Sequence, residues 1–385
     1  MPRSSSLVYE RSRHGPATHV FIVGVGEYEF GRGRGESEVA ENLDQLTSPP
    51  ISARAVADWF IEHFDNPDAP LGSVSLLISG DTSLYTRKDG HQIDVERADL
   101  RSVKAAIVAW ERRISSHPDN IAVFYFCGHG ISSGQKAALL LSDYGHPDYA
   151  YEPAIDLDLL KGTLRNSNAD RQLFLFDCCR TNADGIYDIE STIGSRILSV
   201  PRRERTGTPA QTVMFATVAG AEAYGIEDGV SIFTSCFLDA VNFAAINDDT
   251  GPWVATTASI FGAIGRLVNF RVSERLRRNS TPNLADATDF DFNHRPAPAT
   301  TRSIVAISDK VGWQNASISC HSSFASHRDV VDRLGHEHFQ CCIFNLDSGD
   351  WEISADLVPE NARVKSARCR LNGRPVVYIR LEGAE

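Results

Sequence analysis

The sequence predicts an α/β protein: a mainly parallel sheet covered by helices on both faces, followed by a small, mainly antiparallel β domain. Three observations carry that prediction. Residues 172–180 read QLFLFDCCR, an apolar run that stops abruptly at an acid, two thiols and a guanidinium. A strand buried on both faces reads as such a continuous run, and polar groups at its C-terminal end stand where open α/β sheets place their ligand crevice. Residues 121–130, IAVFYFCGHG, repeat the shape and run out into His129 between two glycines. If the two runs are parallel neighbours, His129 and Cys179 meet at one edge of the sheet. Lastly, strand-like and helix-like periods alternate up to residue 295, whereas beyond residue 300 only short alternating runs remain, the pattern of antiparallel strands.

The elements follow in order. Residues 1–17 are polar and without period, which predicts a disordered lead-in. HVFIVGVG at 19–26 is the first strand, and Gly31, Gly33 and Gly35 make a flexible loop after it. A phosphate-loop reading of those glycines fails, because no Gly-Lys-Ser/Thr follows and no helix opens directly after them. Pro49 and Pro50 announce a helix over 51–64, with Val56, Trp59, Phe60 and Phe64 on its apolar face. Residues 74–79 are a second strand, so the chain opens as strand, helix, strand, the unit of a parallel crossover. A helix is expected over 97–115, with Leu100, Val103, Ile107 and Trp110 on one face. The His129 strand comes next, with the apolar run at 139–141 as a hairpin partner and a short helix at 155–164 before the Cys179 strand. Residues 181–211 lack a period and read as a functional or disordered loop. A strand at 212–217 and helices from 231 and over 257–276 complete a domain spanning 18–295. PAPATT opens a linker at 296–302, and 303–385 form the β domain, with hairpin turns expected at 347–349 and 372–373.

Composition narrows the function classes. The net charge of −12 is spread along the chain without basic blocks, which disfavours nucleic acid or an anionic membrane as partner. The eight cysteines have no regular spacing, and four are adjacent pairs, Cys178 with Cys179 and Cys341 with Cys342. That layout suits no disulfide framework; with no secretory signal in front, it predicts a reducing cytoplasm. No apolar run approaches the roughly 18 residues of a membrane span.

The pair FYFCGHG and LFLFDCCRT resembles the His box and Cys box of the caspase-like cysteine peptidases, which include caspases and metacaspases. The strand at 212–217, the AGAEAYG loop and SIFTSCFLDAV after it are similar to the second half of that domain. The resemblance implies a caspase-like α/β/α sandwich and does not reach 303–385. Aligning D-C-C-R on the Cys box selects Cys179 as nucleophile and leaves Cys178 as filler. It implies that His129 serves as base and acid, and that the N–H groups of Gly130 and Cys179 hold the oxyanion. The bland alternative is a buried structural thiol and a satisfied loop histidine.

At the position of Asp177, caspases carry an amide and cut after Asp, whereas metacaspases carry an acid and cut after Arg or Lys. A carboxylate there would pair with a guanidinium, so the expectation is cleavage after Arg, less readily Lys. Local backbone bonding of Asp177 is the competing reading, and a preference for acidic residues would overturn the assignment. Glu222 lies in the loop that borders the primary pocket in the family, and is a candidate second acid. Arg202, Arg203 and Arg205 are candidate processing sites for self-cleavage or an upstream protease; a solvated basic loop is the alternative. Cys127, Cys178 and His129 lack zinc-site spacing, and calcium enters by analogy only, so no metal or cofactor is expected. The partners implied are protein or peptide substrates with basic cleavage-site residues, and an activating protease or regulator. A role as a bacterial defence or cell-death effector is analogy. The rival from another class is a non-catalytic caspase-like scaffold that recruits a partner through its β domain.

Overall fold

The computed structural model describes residues 5–11, 14–35, 37–80, 82–133, 136–179, 181–182, 194–201, 207–217, 226–246, 251–272, 281–295, 300–307, 317–322, 326–327, 332–336, 339–347, 349–356, 366–371 and 376–381. The chain divides into two compact units: Met1–Leu238 with Asn279–Phe290, and Asp239–Arg278 with Asp291–Glu385. Residues 239–278 and 291–295 thus group with the C-terminal strands, ahead of the compositional break at 296–302.

A seven-stranded sheet organises the first unit. Its strands are β1 (Leu7–Glu10), β2 (Thr18–Val25), β3 (Leu71–Ser79), β4 (Ile121–Gly128), β5 (Arg171–Cys178), β6 (Ala210–Phe215) and β7 (Asn283–Ala285). In space they run β1-β3-β2-β4-β5-β6-β7. The five inner strands are parallel, and the two edges, β1 on β3 and β7 on β6, are antiparallel. Every residue of β2, β3 and β4 is buried, which is why β2 and β4 read as largely apolar runs rather than as alternations, while β3 also buries Ser73, Ser75 and Ser79. The chain builds outward from β2 to β3 and then returns to the other side of β2 for β4. That reversal between β2 and β4 is the switch point at which such sheets open a crevice.

Helices α1 (Ser48–His63), α2 (Leu100–Ile114), α3 (Leu157–Leu164) and α4 (Ile232–Phe243) cover this sheet. A Cβ at Gly24 would lie 2.7 Å from that of Ala53 on α1, so the Gly24 side of β2 faces α1. Phe21, Val23 and Val25 instead join the cluster holding Val103, Ile107 and Trp110 of α2 and Leu160 of α3. Successive strand residues point to opposite faces, so α1 lies on one face and α2 with α3 on the other. Phe237 of α4 meets Trp59 of α1, ring centroids 6.3 Å apart, and so shares the α1 face.

Two expectations about the first unit need correction. Residues 7–10 form β1 and are not part of a disordered lead-in: Leu7 and Tyr9 pair with β3 while Val8 is buried. Four residues were too few to show a period against their polar flanks. Pro49 and Pro50 lie inside α1, near its start, where the missing N–H has no partner to lose.

The chain leaves β4 and β5 into a second, four-stranded sheet, ordered 181–182, 130–133, 136–140, 154–156. The run around Leu139 is the expected antiparallel partner of Gly130–Ser133.

In the second unit, α5 (Thr257–Arg271) follows the strand Trp253–Thr256, which pairs with Asp291–Arg295. Two four-stranded sheets complete the unit, one ordered 332–336, 339–346, 301–307, 376–381 and the other 326–327, 317–322, 349–356, 367–371. All their pairings are antiparallel except 301–307 with 376–381. Phe344 and Ile379 of one sheet share a buried cluster with Trp351 and Ile353 of the other, a face-to-face packing. The turn at 347–349 is not a hairpin, because its flanking strands lie in different sheets; the strands flanking 372–375 are likewise split. Local turn chemistry marks a reversal but not the sheet to which the next strand returns.

Candidate active site

The ladder between β4 and β5 fixes the central pair. Cys178 stands opposite Gly128 at the end of the sheet, and Thr181 stands opposite Ile131 where the second sheet begins. The two chains are in step on both sides of the gap, so His129 and Cys179 are register partners. Adjacent strands lie about 4.8 Å apart, and both residues line one cavity of about 340 Å³ at the C-terminal ends of β4 and β5. Gly130 is required by this closeness. A Cβ there would stand 2.7 Å from the Cys179 carbonyl oxygen and 2.9 Å from the Cys178 sulfur. Cys178 itself is buried in the core, whereas Cys179 is half-buried.

The loop after β2 positions His129. Its Nε2 bonds the carbonyl oxygen of Asp44 at 2.9 Å. A carbonyl can only accept, so Nε2 carries the ring proton and Nδ1 holds the lone pair. The His129 backbone N–H donates to the Tyr28 hydroxyl at 2.7 Å, and the Tyr28 ring packs on the imidazole with centroids 5.0 Å apart. The loop is fixed in turn: Gln45 accepts from the Tyr28 N–H at 2.8 Å, and Leu46 N–H donates to Gly26 O at 2.7 Å. A Cβ at Gly26 would sit 2.3 Å from the Leu46 carbonyl oxygen. Burial holds the imidazole below its ordinary pKa, and the Asp44 carbonyl partly opposes that shift.

Asp177 lines the same cavity and is 4% exposed. Its Oδ2 accepts from the Ser231 hydroxyl, and from Thr234 Oγ1 at 2.5 Å. The Cys127 thiol, across the ladder, also bonds the carboxylate. These partners are more than 50 residues away in sequence or on the neighbouring strand, so the purely local reading of Asp177 does not hold. Burial raises its pKa, and the hydroxyl bonds pull it back in part. The acidic lining residues among those described are Asp177 and Glu227.

Glu222, Arg202, Arg203 and Arg205 lie outside the described residues. Sequence reasoning missed Tyr28, Asp44, Ser231 and Glu227. Glu227 follows the AGAEAYG loop by a few positions, and its acid was readable there; nothing local marks a carbonyl at Asp44 as a partner of His129. Among the described residues no three His, Cys, Asp or Glu side chains converge as a metal site, and no helix is long and apolar enough to cross a membrane.

The family model for the caspase domain matches residues 85–291, which include His129 and Cys179. A curated relative, the uncharacterized protein y4kE of Sinorhizobium fredii, is 32% identical over 204 residues, 49% of this chain and 58% of its own length. The chain therefore spans less than two thirds of that relative. The crystal structure of caspase-1 from Spodoptera frugiperda is similar with a TM-score of 0.41 and 10% identity, over 74% of this chain and 92% of that one.

Proposed function

The chain belongs to the caspase-domain family, and from that premise we propose a cysteine endopeptidase that uses Cys179 and His129 to cut after Arg, less readily after Lys. The family supports thiol-dependent hydrolysis of protein substrates in general. The observation that carries the specific reading is the in-step register of His129 and Cys179 at a cavity with acidic walls.

In this mechanism Nδ1 of His129 takes the Cys179 proton, and the thiolate attacks the peptide carbonyl carbon. The carbonyl π electrons move to oxygen, and the N–H groups of Gly130 and Cys179 hold that oxyanion. The imidazolium, steadied by the Asp44 carbonyl, gives its proton to the departing amine as the C–N bond breaks. Water, deprotonated by His129, then cleaves the thioester and restores the thiol. Asp177 grips the cationic side chain of the residue before the cut bond. The same reading carries processing within 181–211, at Arg202, Arg203 or Arg205, and an effector role in defence or cell death.

A fluorogenic Arg-peptide assay on the wild-type chain and on Cys179→Ala tests the proposal. Cleavage by the first alone is expected, and equal signals would refute it. The mass of the purified chain, with and without Cys179, reports self-cleavage and its position.

A further inference from the structure

We infer that Glu227 is the second carboxylate of the pocket for the residue before the cut bond, and that it sets the preference for Arg over Lys. The inference rests on the proposed role of Asp177 and extends it to a residue that the family resemblance does not supply.

Asp177 alone is an incomplete partner for a guanidinium. Two hydroxyls already converge on its Oδ2, and the carboxylate is almost wholly buried. A guanidinium presents five donors in a rigid planar fork, whereas an ammonium presents three on a compact centre. Asp177 and water satisfy the ammonium; the fork needs a further acceptor on the open side of the cavity. Glu227 lines that cavity and is exposed. Leu46, Pro49 and Ile226 also line it, and Ile226 is 47% exposed. They offer apolar walls to the methylene stem of a long cationic side chain.

Glu227 is held in place rather than carried on a free loop. Gly229 N–H donates to Ile226 O at 3.1 Å, closing a turn around it. Asp228, at φ 53°, adopts the left-handed region that few residues other than glycine enter. Its N–H donates to Thr47 Oγ1 at 2.9 Å. Thr47 is the N-cap residue of α1, yet its hydroxyl caps no helix N–H. A hydroxyl that ordinarily serves the helix instead ties the Glu227 turn across the cavity.

The test measures binding without turnover. In the full chain carrying Cys179→Ala, fluorescence anisotropy reports the affinity of labelled peptides that differ only in Arg, Lys or citrulline before the cut bond. The Arg peptide is expected to bind tightest. Adding Glu227→Gln is expected to narrow the Arg-to-Lys affinity ratio by about two- to fivefold, the scale of a rim-exposed charge pair with a forked donor. Thr47→Val is expected to narrow it in the same direction. An unchanged ratio in Glu227→Gln, or no Arg preference at the outset, overturns the inference. The peptidase reading fails on a different result, absence of Cys179-dependent cleavage, which leaves the binding ratio free to stand or fall alone.

Discussion

Tyr28 shows how much a single side chain outside both boxes contributes. It accepts the His129 backbone N–H and supports the ring from the side. Tyr28→Phe keeps the packing but strands a donor, at a cost of about 1–3 kcal/mol for an unsatisfied buried group. We expect kcat on an Arg peptide to fall about tenfold or more with KM little changed, read by steady-state kinetics. Gly130→Ala should be harsher: its Cβ meets backbone and sulfur that cannot swing away. Loss of cleavage together with a lower melting temperature is the expected pair of results. The pH dependence follows from the two titrating groups facing the cavity. The base role proposed for His129 needs the neutral ring, and burial lowers its pKa from 6.5, so that base should survive to lower pH than an ordinary histidine. The grip proposed for Asp177 needs an ionised carboxylate, and burial raises its pKa from 3.8, so that grip should be lost at higher pH than for an ordinary aspartate. Both limits fall on the acid side, and the acid limb of kcat/KM follows whichever of the two groups titrates at the higher pH. On a citrulline peptide, which needs no ionised Asp177, a midpoint above 6.5 would contradict the lowered pKa of His129. The acid, the two thiols and the histidine were legible because strands that end in chemistry break an apolar run. Tyr28, and the Asp44 carbonyl, were not legible, since a backbone acceptor carries no residue signature.

The elements present those residues without taking part in the chemistry. Asp99 caps α2 by accepting the Ser102 N–H at 2.7 Å. Asp99→Ala should cost about 1 kcal/mol, a fall of about 2–4 °C in Tm, while peptide cleavage is unchanged; calorimetry and the fluorogenic assay together check it. The strands were legible for the reason that made them buried: parallel strands covered on both sides are apolar over much of their length, with the polar exceptions, such as Ser73 and Gln172, buried among them. Short strands were harder to read. β1 and the strands of the second sheet owe their conformation to the partner they pair with, and four or five residues cannot display that partner.

Across the whole molecule, each of the two units has its own buried cluster, one around Phe124 and Trp110 and the other around Phe344 and Trp351. Phe344→Ala should destabilise the second unit by about 3–5 kcal/mol. Calorimetry should show the loss as a lower melting temperature, and an unchanged one would contradict it. Residues 239–278 group with the C-terminal strands through packing that no local pattern records. The sequence by itself determined the alternation of strands and helices, the parallel core and the two residues that end β4 and β5, because burial and periodicity are written residue by residue. Only the tertiary structure decided that the Asp44 carbonyl bonds His129, that the hydroxyls of Ser231 and Thr234, at the start of α4, hold Asp177 and that Glu227 lines the same cavity. Those contacts join segments far apart in the chain, and their geometry exists only once the sheet has brought the segments together.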